Sequence, residues 1–310
     1  GRAYLAANDM QQAMNTFNRL AVTQPKSPQP QLGMADVNLA LKDRAAAARN
    51  LKRALELEPR LLQARRGLVA IALAERQPTE ALELARAVQK DLPTEAVGHV
   101  LEGDVETYRK NLKAALAAYQ QGLKKANPQE SATRSHNTLV ALGQTAEAEQ
   151  FAQKWIADHP QDAVFPFYLA DRALAARDYA GAEARYRKVI ELQPNNALAL
   201  NNVAWLMVQQ NKPGAVPFAE KANQLLPGRP PLMDTLATAL AADKQVPKAL
   251  EVQKQAVERA PEDGSLRLNL AKLYIQSEQK GMARSELEKI ERMGRKYANQ
   301  DEVGKLLKSL

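Results

Sequence analysis

One small apolar position returns along this chain with an almost fixed step. Alanine stands at Ala13, Ala47, Ala81, Ala115, Ala148, Ala182, Ala215, Ala249 and Ala283, each 33 or 34 residues after the last. Four residues later comes a large group, at Phe17, Leu51, Tyr119, Tyr186 and Leu287. Three residues beyond that, Ala54, Val88, Val189, Ala222, Ala256 and Ile290 hold a third packing position. Steps of four and three put all three on one face of a helix. The small residue is where a second helix can approach closely, because ridges interlock only where a side chain leaves room. The pattern predicts a helix in every unit, buried along one stripe against a neighbour.

Prolines mark the unit ends independently. Pro25, Pro59, Pro93, Pro128, Pro160, Pro194, Pro227 and Pro261 are spaced 34, 34, 35, 32, 34, 33 and 34 residues apart. Pro30, Pro166, Pro217 and Pro247 each fall in a first turn, where a missing N–H costs little. Polar pairs such as Asn8-Asp9, Lys42-Asp43, Gly143-Gln144, Arg177-Asp178 and Glu278-Gln279 divide each unit into two helices, and no strand pattern interrupts them. Units are expected to begin near residues 28, 62, 96, 129, 163, 197, 230 and 264, after a partial first one. The fifth is the least regular, with a spacing of 32 and His136 where a small residue is expected, so a kink or looser joint is expected across residues 127–145.

These features resemble the tetratricopeptide repeat, whose unit is a helix-turn-helix of about 34 residues. The sixth unit, DAVFPFYLADRALAARDYAGAEARYRKVIELQPNN over residues 162–196, is the most similar to the family pattern. The resemblance implies an all-α solenoid, a right-handed superhelix of about nine antiparallel helix pairs. Residues 1–297 form the array, and 298–310 form a capping helix read from the amphipathic NQDEVGKLLKSL. Gly1-Arg-Ala-Tyr4 matches the middle of a first helix, so at least half a helix is expected upstream. A narrower resemblance lies in ALNNVAWLMVQQ (199–210), PLMDTLATAL (231–240) and the ending from Val303 to Leu310. Together these are similar to the tetratricopeptide lipoproteins of the PEP-CTERM exosortase system (PrsT-like), found beside bacterial exopolysaccharide genes. That similarity implies a periplasmic location, with any membrane attachment through an anchor in an N-terminal part outside this sequence; the cytoplasm is the alternative. Thr238 and Ala239 stand where those relatives carry a glycine and a tryptophan.

Composition narrows the chemistry. Of the 310 residues 45% are apolar and only 5% aromatic, which suits helices packed through small contacts. There is no cysteine, hence no disulfide, thiolate nucleophile or cysteine metal site. The formal charge of +8 divides evenly, +4 on residues 1–160 and +4 on 161–310, so no basic tail exists. His99, His136 and His159 lie 37 and 23 residues apart without a second ligand at metal spacing, and His159 before Pro160 suits a helix C-terminus. No HExxH, phosphate-binding glycine loop or GxSxG elbow is present. The chain therefore reads as a non-enzyme needing neither cofactor nor metal. Arg49, Lys52, Arg53, Arg60, Arg65 and Arg66 form the densest basic ridge, but Glu56 and Glu58 interrupt it and no aromatics interleave, so nucleic acid is an unfavoured partner. A second cluster comprises Lys289, Arg292, Arg295 and Lys296.

In a stack of such pairs the first helices line one wall, and the family resemblance places partner-facing side chains at repeat positions 2, 5, 6, 9, 12 and 13. That selects Arg66, Asp104, Tyr108, Phe167, Asp171, Asn201, Asn202, Trp205, Asp234, Thr238, Asn269 and Lys272. Asparagine amides can hold a peptide backbone with a donor and an acceptor each, and Trp205 offers an apolar platform. Two structural readings stand beside these: Asn201 and Asn202 as helix-start residues, and Trp205 as core between units. The function expected is a scaffold binding a protein or peptide in the groove. Polysaccharide or nucleic-acid binding, or service as an accessory subunit of an enzyme complex, are the alternatives.

Overall fold

The computed structural model describes residues 1–310 and is all helical apart from one isolated bridge. The pairs run α1 (Arg2–Ala6) with α2 (Met10–Thr23), α3 (Gln29–Ala40) with α4 (Arg44–Leu57), and α5 (Leu62–Ala74) with α6 (Pro78–Asp91). Then come α7 (Val97–Tyr108) with α8 (Leu112–Gly122), and α9 (Gln129–Ala141) with α10 (Thr145–Asp158). The chain continues through α11 (Val164–Ala175) with α12 (Tyr179–Leu192), α13 (Ala197–Gln209) with α14 (Val216–Leu225), and α15 (Pro230–Ala242) with α16 (Val246–Arg259). Last are α17 (Gly264–Gln276) with α18 (Lys280–Met293), a 3-10 turn at Gly294–Lys296, and α19 (Gln300–Ser309). Two compact units result, Gly1–Asp158 and His159–Leu310.

Each first helix ends in the same way. Nine residues take a left-handed conformation at the turn within a pair: Asn8, Lys42, Arg76, Lys110, Gly143, Arg177, Asn211, Lys244 and Glu278, with φ between 52° and 76°. At each, the next residue's N–H reaches back five residues, as in Asp43 N to Asn38 O (2.9 Å) and Asn111 N to Glu106 O (2.9 Å), closing the helix. That same next residue caps the following helix where it is Asp or Asn: Asp9, Asp43, Asn111 and Asp178 accept from an N–H three residues on. Pair geometry is thus fixed by two residues.

Second helices stop for a different reason. A proline past the first turn disfavours helical backbone at the residue before it, through its ring, and lacks the N–H that would continue the ladder. Gln24, Glu58, Leu92, Gln193, Leu226 and Ala260, each preceding a ladder proline, accordingly have φ between −129° and −139°. Asn127 before Pro128 departs from the set with φ 53°, α8 ends early at Gly122, and Ala126 instead pairs with the preceding loop through Ala126 N to Thr94 O (2.8 Å) and Ala96 N to Ala126 O (3.2 Å). The irregular spacing ahead of the fifth unit is absorbed there. The other departure is α14, which begins only at Val216, leaving Ala215 outside the helix as its N-cap.

All nine ladder alanines are buried, and the large and third-position residues that follow them pack into the same cores. In the first unit Leu32, Ala47, Leu51, Ala54, Ala64 and Leu68 form one cluster, and Val69, Ala81, Val88, Val97 and Val105 form another. In the second, Ala170, Ala182, Tyr186, Val189, Val203 and Leu206 form the largest. Helix α19 closes the C-terminal end by laying Val303, Leu306, Leu307 and Leu310 over Leu268, Ala271, Leu287 and Ile290. Each of the fully buried Leu268, Leu287, Ile290 and Val303 contributes about 1.5–3 kcal/mol.

Candidate functional site

Within each unit the first helices of successive pairs lie side by side: α5, α7 and α9 in the first, α13, α15 and α17 in the second. The polar side chains of that face are joined across pairs. In the first unit Arg66 on α5 forks onto Glu130 of α9, Nη1 to Oε1 at 3.1 Å and Nη2 to Oε2 at 2.6 Å, bridging two pairs. Arg134 of α9 lies 3.2 Å from Asp104 of α7 and 3.9 Å from Glu130. Tyr108 stands apart from this network, 46% exposed. Glu130 and Arg134 escaped the sequence reading although they occupy repeat positions 2 and 6, because they belong to the unit whose frame is least regular.

A second device recurs from the second helices. At the large position four residues after the ladder alanine, Tyr119 donates its hydroxyl to Asp104 Oδ1 (2.8 Å), Tyr186 donates to Asp171 Oδ1, and Gln253 donates Nε2 to Asp234 Oδ1 (2.6 Å). The donor reaches through the pair from the buried side and holds an aspartate on the first-helix face. Asn269 of α17 adds two bonds to Asp234, at 2.9 and 3.0 Å. Burial raises the pKa of Asp104 against the opposing pull of Arg134, and raises that of Asp234 against the amides of Asn269 and Gln253. Tyr119 and Tyr186 are likewise pushed far above the ordinary tyrosine value, chiefly by burial.

The helical pairs have their likeness among known proteins. A family model described as "Tetratricopeptide repeat" matches residues 168–230, the segment holding Tyr186, Asn201 and Trp205. The chain carries tetratricopeptide repeats. It is 29% identical over 261 residues to "Cellulose synthase operon protein C" of Xanthomonas axonopodis pv. citri (strain 306), covering 78% of this chain and 15% of that protein. The chain therefore spans about 15% of the length of that relative. Among solved structures, "Crystal structure of APC/C hetero-tetramer Cut9-Hcn1" is similar at TM-score 0.51 and 15% identity, over 97% of this chain and 59% of that one. "MamA 41-end from Desulfovibrio magneticus RS-1" gives TM-score 0.49 and 19% identity, over 56% of this chain and 99% of that one.

The tetratricopeptide face of the second unit gathers most of the remaining candidates. Phe167 packs edge-on to Tyr186 (centroids 5.3 Å) and borders a hollow of about 270 Å³ with Ala163, Val164, Gln193, Asn196 and Leu198. Val164 and Leu198, both at repeat position 2, are 54% and 52% exposed. Asn201 Nδ2 donates weakly to Asn202 Oδ1 (3.5 Å), and Asn202 lies beside the Tyr186 hydroxyl, whose proton goes to Asp171. Neither caps the helix, since Asn196 does so by accepting from Ala199 N (3.0 Å). Trp205 lies edge-on to Tyr179 of the neighbouring pair (5.7 Å) against the largest core, so it joins repeats rather than standing as an open platform. Thr238 turns its hydroxyl back onto Asp234 O (2.8 Å), and Lys272 pairs with Glu302 of the capping helix (2.6 Å).

Other features of the array lie off this face. A hollow of about 500 Å³ sits between second helices α4 and α6 over a floor of Leu68, Ile71 and Ala72. Ala48 in its wall stands where α6 and α16 carry the bulkier Leu82 and Leu250. The basic ridge is dispersed by pairing: Arg53 with Glu56, Arg65 with Asp91 (2.8 Å) and the carbonyl of Pro59, Arg66 with Glu130. His136 is buried on α9, and His159 follows the last residue of α10. No helix is long and apolar enough to cross a membrane.

Proposed function

We propose that this chain is a non-catalytic scaffold that holds a protein or peptide on the first-helix face, in a bacterial exopolysaccharide-producing assembly. Tetratricopeptide proteins in general mediate protein–protein interaction, and the partly open amide, carboxylate and apolar groups of the second unit suit that use. The observation that carries the reading is the recurrence of Tyr119–Asp104, Tyr186–Asp171 and Gln253–Asp234. Three buried donors hold three aspartates in fixed orientation on one kind of face, and preorganised polar groups lower the ordering cost of binding. The exopolysaccharide context is supported by the name of the relative from Xanthomonas. A periplasmic compartment belongs to the same proposal and rests on the resemblance of the last third of the chain.

The test is positional. A photo-crosslinking amino acid is placed at Leu198, exposed on the first-helix face, or at Lys188, exposed on second helix α12. Each version is illuminated in extracts of the source organism. Adducts of one defined mass from position 198 and none from 188 support the reading. Adducts only from 188, or from neither, refute it.

A further inference from the structure

The three pinned aspartates differ in what faces them. Asp104 already has a cation, Arg134 at 3.2 Å, and Glu130 beside it has Arg66. Asp171 and Asp234 in the second unit have only neutral donors: Tyr186 for the first, Gln253 and Asn269 for the second. Asp171 is exposed on α11, and the nearby Arg172 guanidinium lies over the Tyr168 ring (5.9 Å). A fixed, solvent-facing carboxylate with neutral partners attracts a cation and repels an anion.

Two further observations adjoin it. Phe167 is one helical turn before Asp171, so their side chains are neighbours about 5–6 Å apart on the same face. Phe167 borders the hollow over which Val164 and Leu198 expose apolar surface. On the adjoining helix Asn201 Oδ1 is buried without a hydrogen-bond partner, an acceptor that gains a donor when its amide turns toward an incoming N–H.

We infer that the second unit takes an extended partner segment with an apolar and a basic side chain two residues apart, the apolar one against Val164, Phe167 and Leu198, the Lys or Arg on Asp171. Residues i and i+2 of a strand lie on one side about 6.6 Å apart, close to the spacing between Phe167 and Asp171. The backbone between them supplies the N–H for Asn201. An acidic segment is refused, because Asp171 would face a like charge without a cation to offset it. This inference rests on the scaffold reading and adds the chemistry of the partner.

Random 12-residue peptides displayed on phage are selected on the full 310-residue chain at about 0.15 M salt, where distant charges are screened and contact pairs are not. Enrichment of apolar-x-Lys/Arg is expected. A synthetic peptide of the enriched sequence should bind Asp171→Asn about tenfold more weakly, since that change keeps an acceptor for Tyr186 and removes only the charge. It should lose binding to Leu198→Glu and bind Lys188→Ala as it binds the parent, with helicity of every variant checked by circular dichroism. Enriched peptides that are acidic or uncharged but still lost with Leu198→Glu overturn the inference and leave the scaffold reading standing. Peptides indifferent to both Asp171→Asn and Leu198→Glu overturn both, and absence of any enrichment overturns the inference.

Discussion

Eight side chains other than glycine sit in the left-handed turn of their pair, none held by a side-chain hydrogen bond or ion pair, and three of them are the lysines Lys42, Lys110 and Lys244. Their φ values are 64°, 61° and 61°. A side chain there brings Cβ against the following carbonyl at a cost of about 1–2 kcal/mol. Glycine removes that clash but gives the unfolded chain more freedom, worth about 0.5–1 kcal/mol. The difference predicts that Lys42→Gly, Lys110→Gly and Lys244→Gly each stabilise by about 0.5–1 kcal/mol, contrary to the usual effect of glycine. The sites belong to different repeats and share no partner, so the increments should add. Lys42 and Lys110 fall in the first compact unit and Lys244 in the second. The double variant Lys42→Gly, Lys110→Gly should raise the melting temperature of its unit by about 2–8 °C and the urea midpoint with unchanged slope, followed by circular dichroism. Lys→Ala at the same positions is the control for lost charge and should not stabilise; Lys188→Gly within α12 should cost about 1 kcal/mol. If the glycine variants melt at or below the parent, or if alanine raises stability equally, the conformational argument is wrong.

Three further outcomes follow from particular contacts. A Cβ on Gly98 would lie 2.7 Å from the Gln89 backbone nitrogen, so Gly98→Ala must push α7 off α6 and should cost about 1–3 kcal/mol, whereas Gly281→Ala meets nothing and should gain about 0.5 kcal/mol; paired urea melts decide. Glu183 is buried, which works to raise its pKa, but Lys212 (2.7 Å) and Arg187 (2.7 Å) outweigh burial and hold it below the ordinary value. Its contribution is therefore present above the unfolded pKa near 4.5 and lost as pH falls through the folded value, so Glu183→Gln should cost about 2 kcal/mol at pH 7 and progressively less in acid; an equal cost at both ends would refute the pairing. For the Arg66–Glu130 fork, both partners more than a third exposed, a double-mutant cycle with alanine should give a coupling of about 0.5–1 kcal/mol that shrinks in 1 M salt, and a coupling indistinguishable from zero at low salt would dismiss it.

The repeating architecture is legible in the sequence because it is made by local rules applied nine times. A proline past the first turn ends the helix before it, a polar pair closes and caps, and an alanine admits a neighbour; each acts within a few residues of itself. His136 shows where that reading thins, since it marks an irregular repeat without disclosing the Glu95–Ala126 bridge that absorbs the irregularity. Site residues were legible as positions on a face, not as interactions. Arg66 meets Glu130 across 64 residues and Asp234 meets Asn269 across 35, and no pattern along the chain encodes such encounters. Trp205 illustrates the same limit, because whether its ring is open or packed depends on Tyr179 in another repeat. Sequence by itself determined the helices, their ends and the stripe each buries, since those are steric consequences of neighbouring residues. Tertiary structure alone decided which aspartates find a cation and which keep their charge for something else, because Coulomb energy depends on separations that only the packed repeats set.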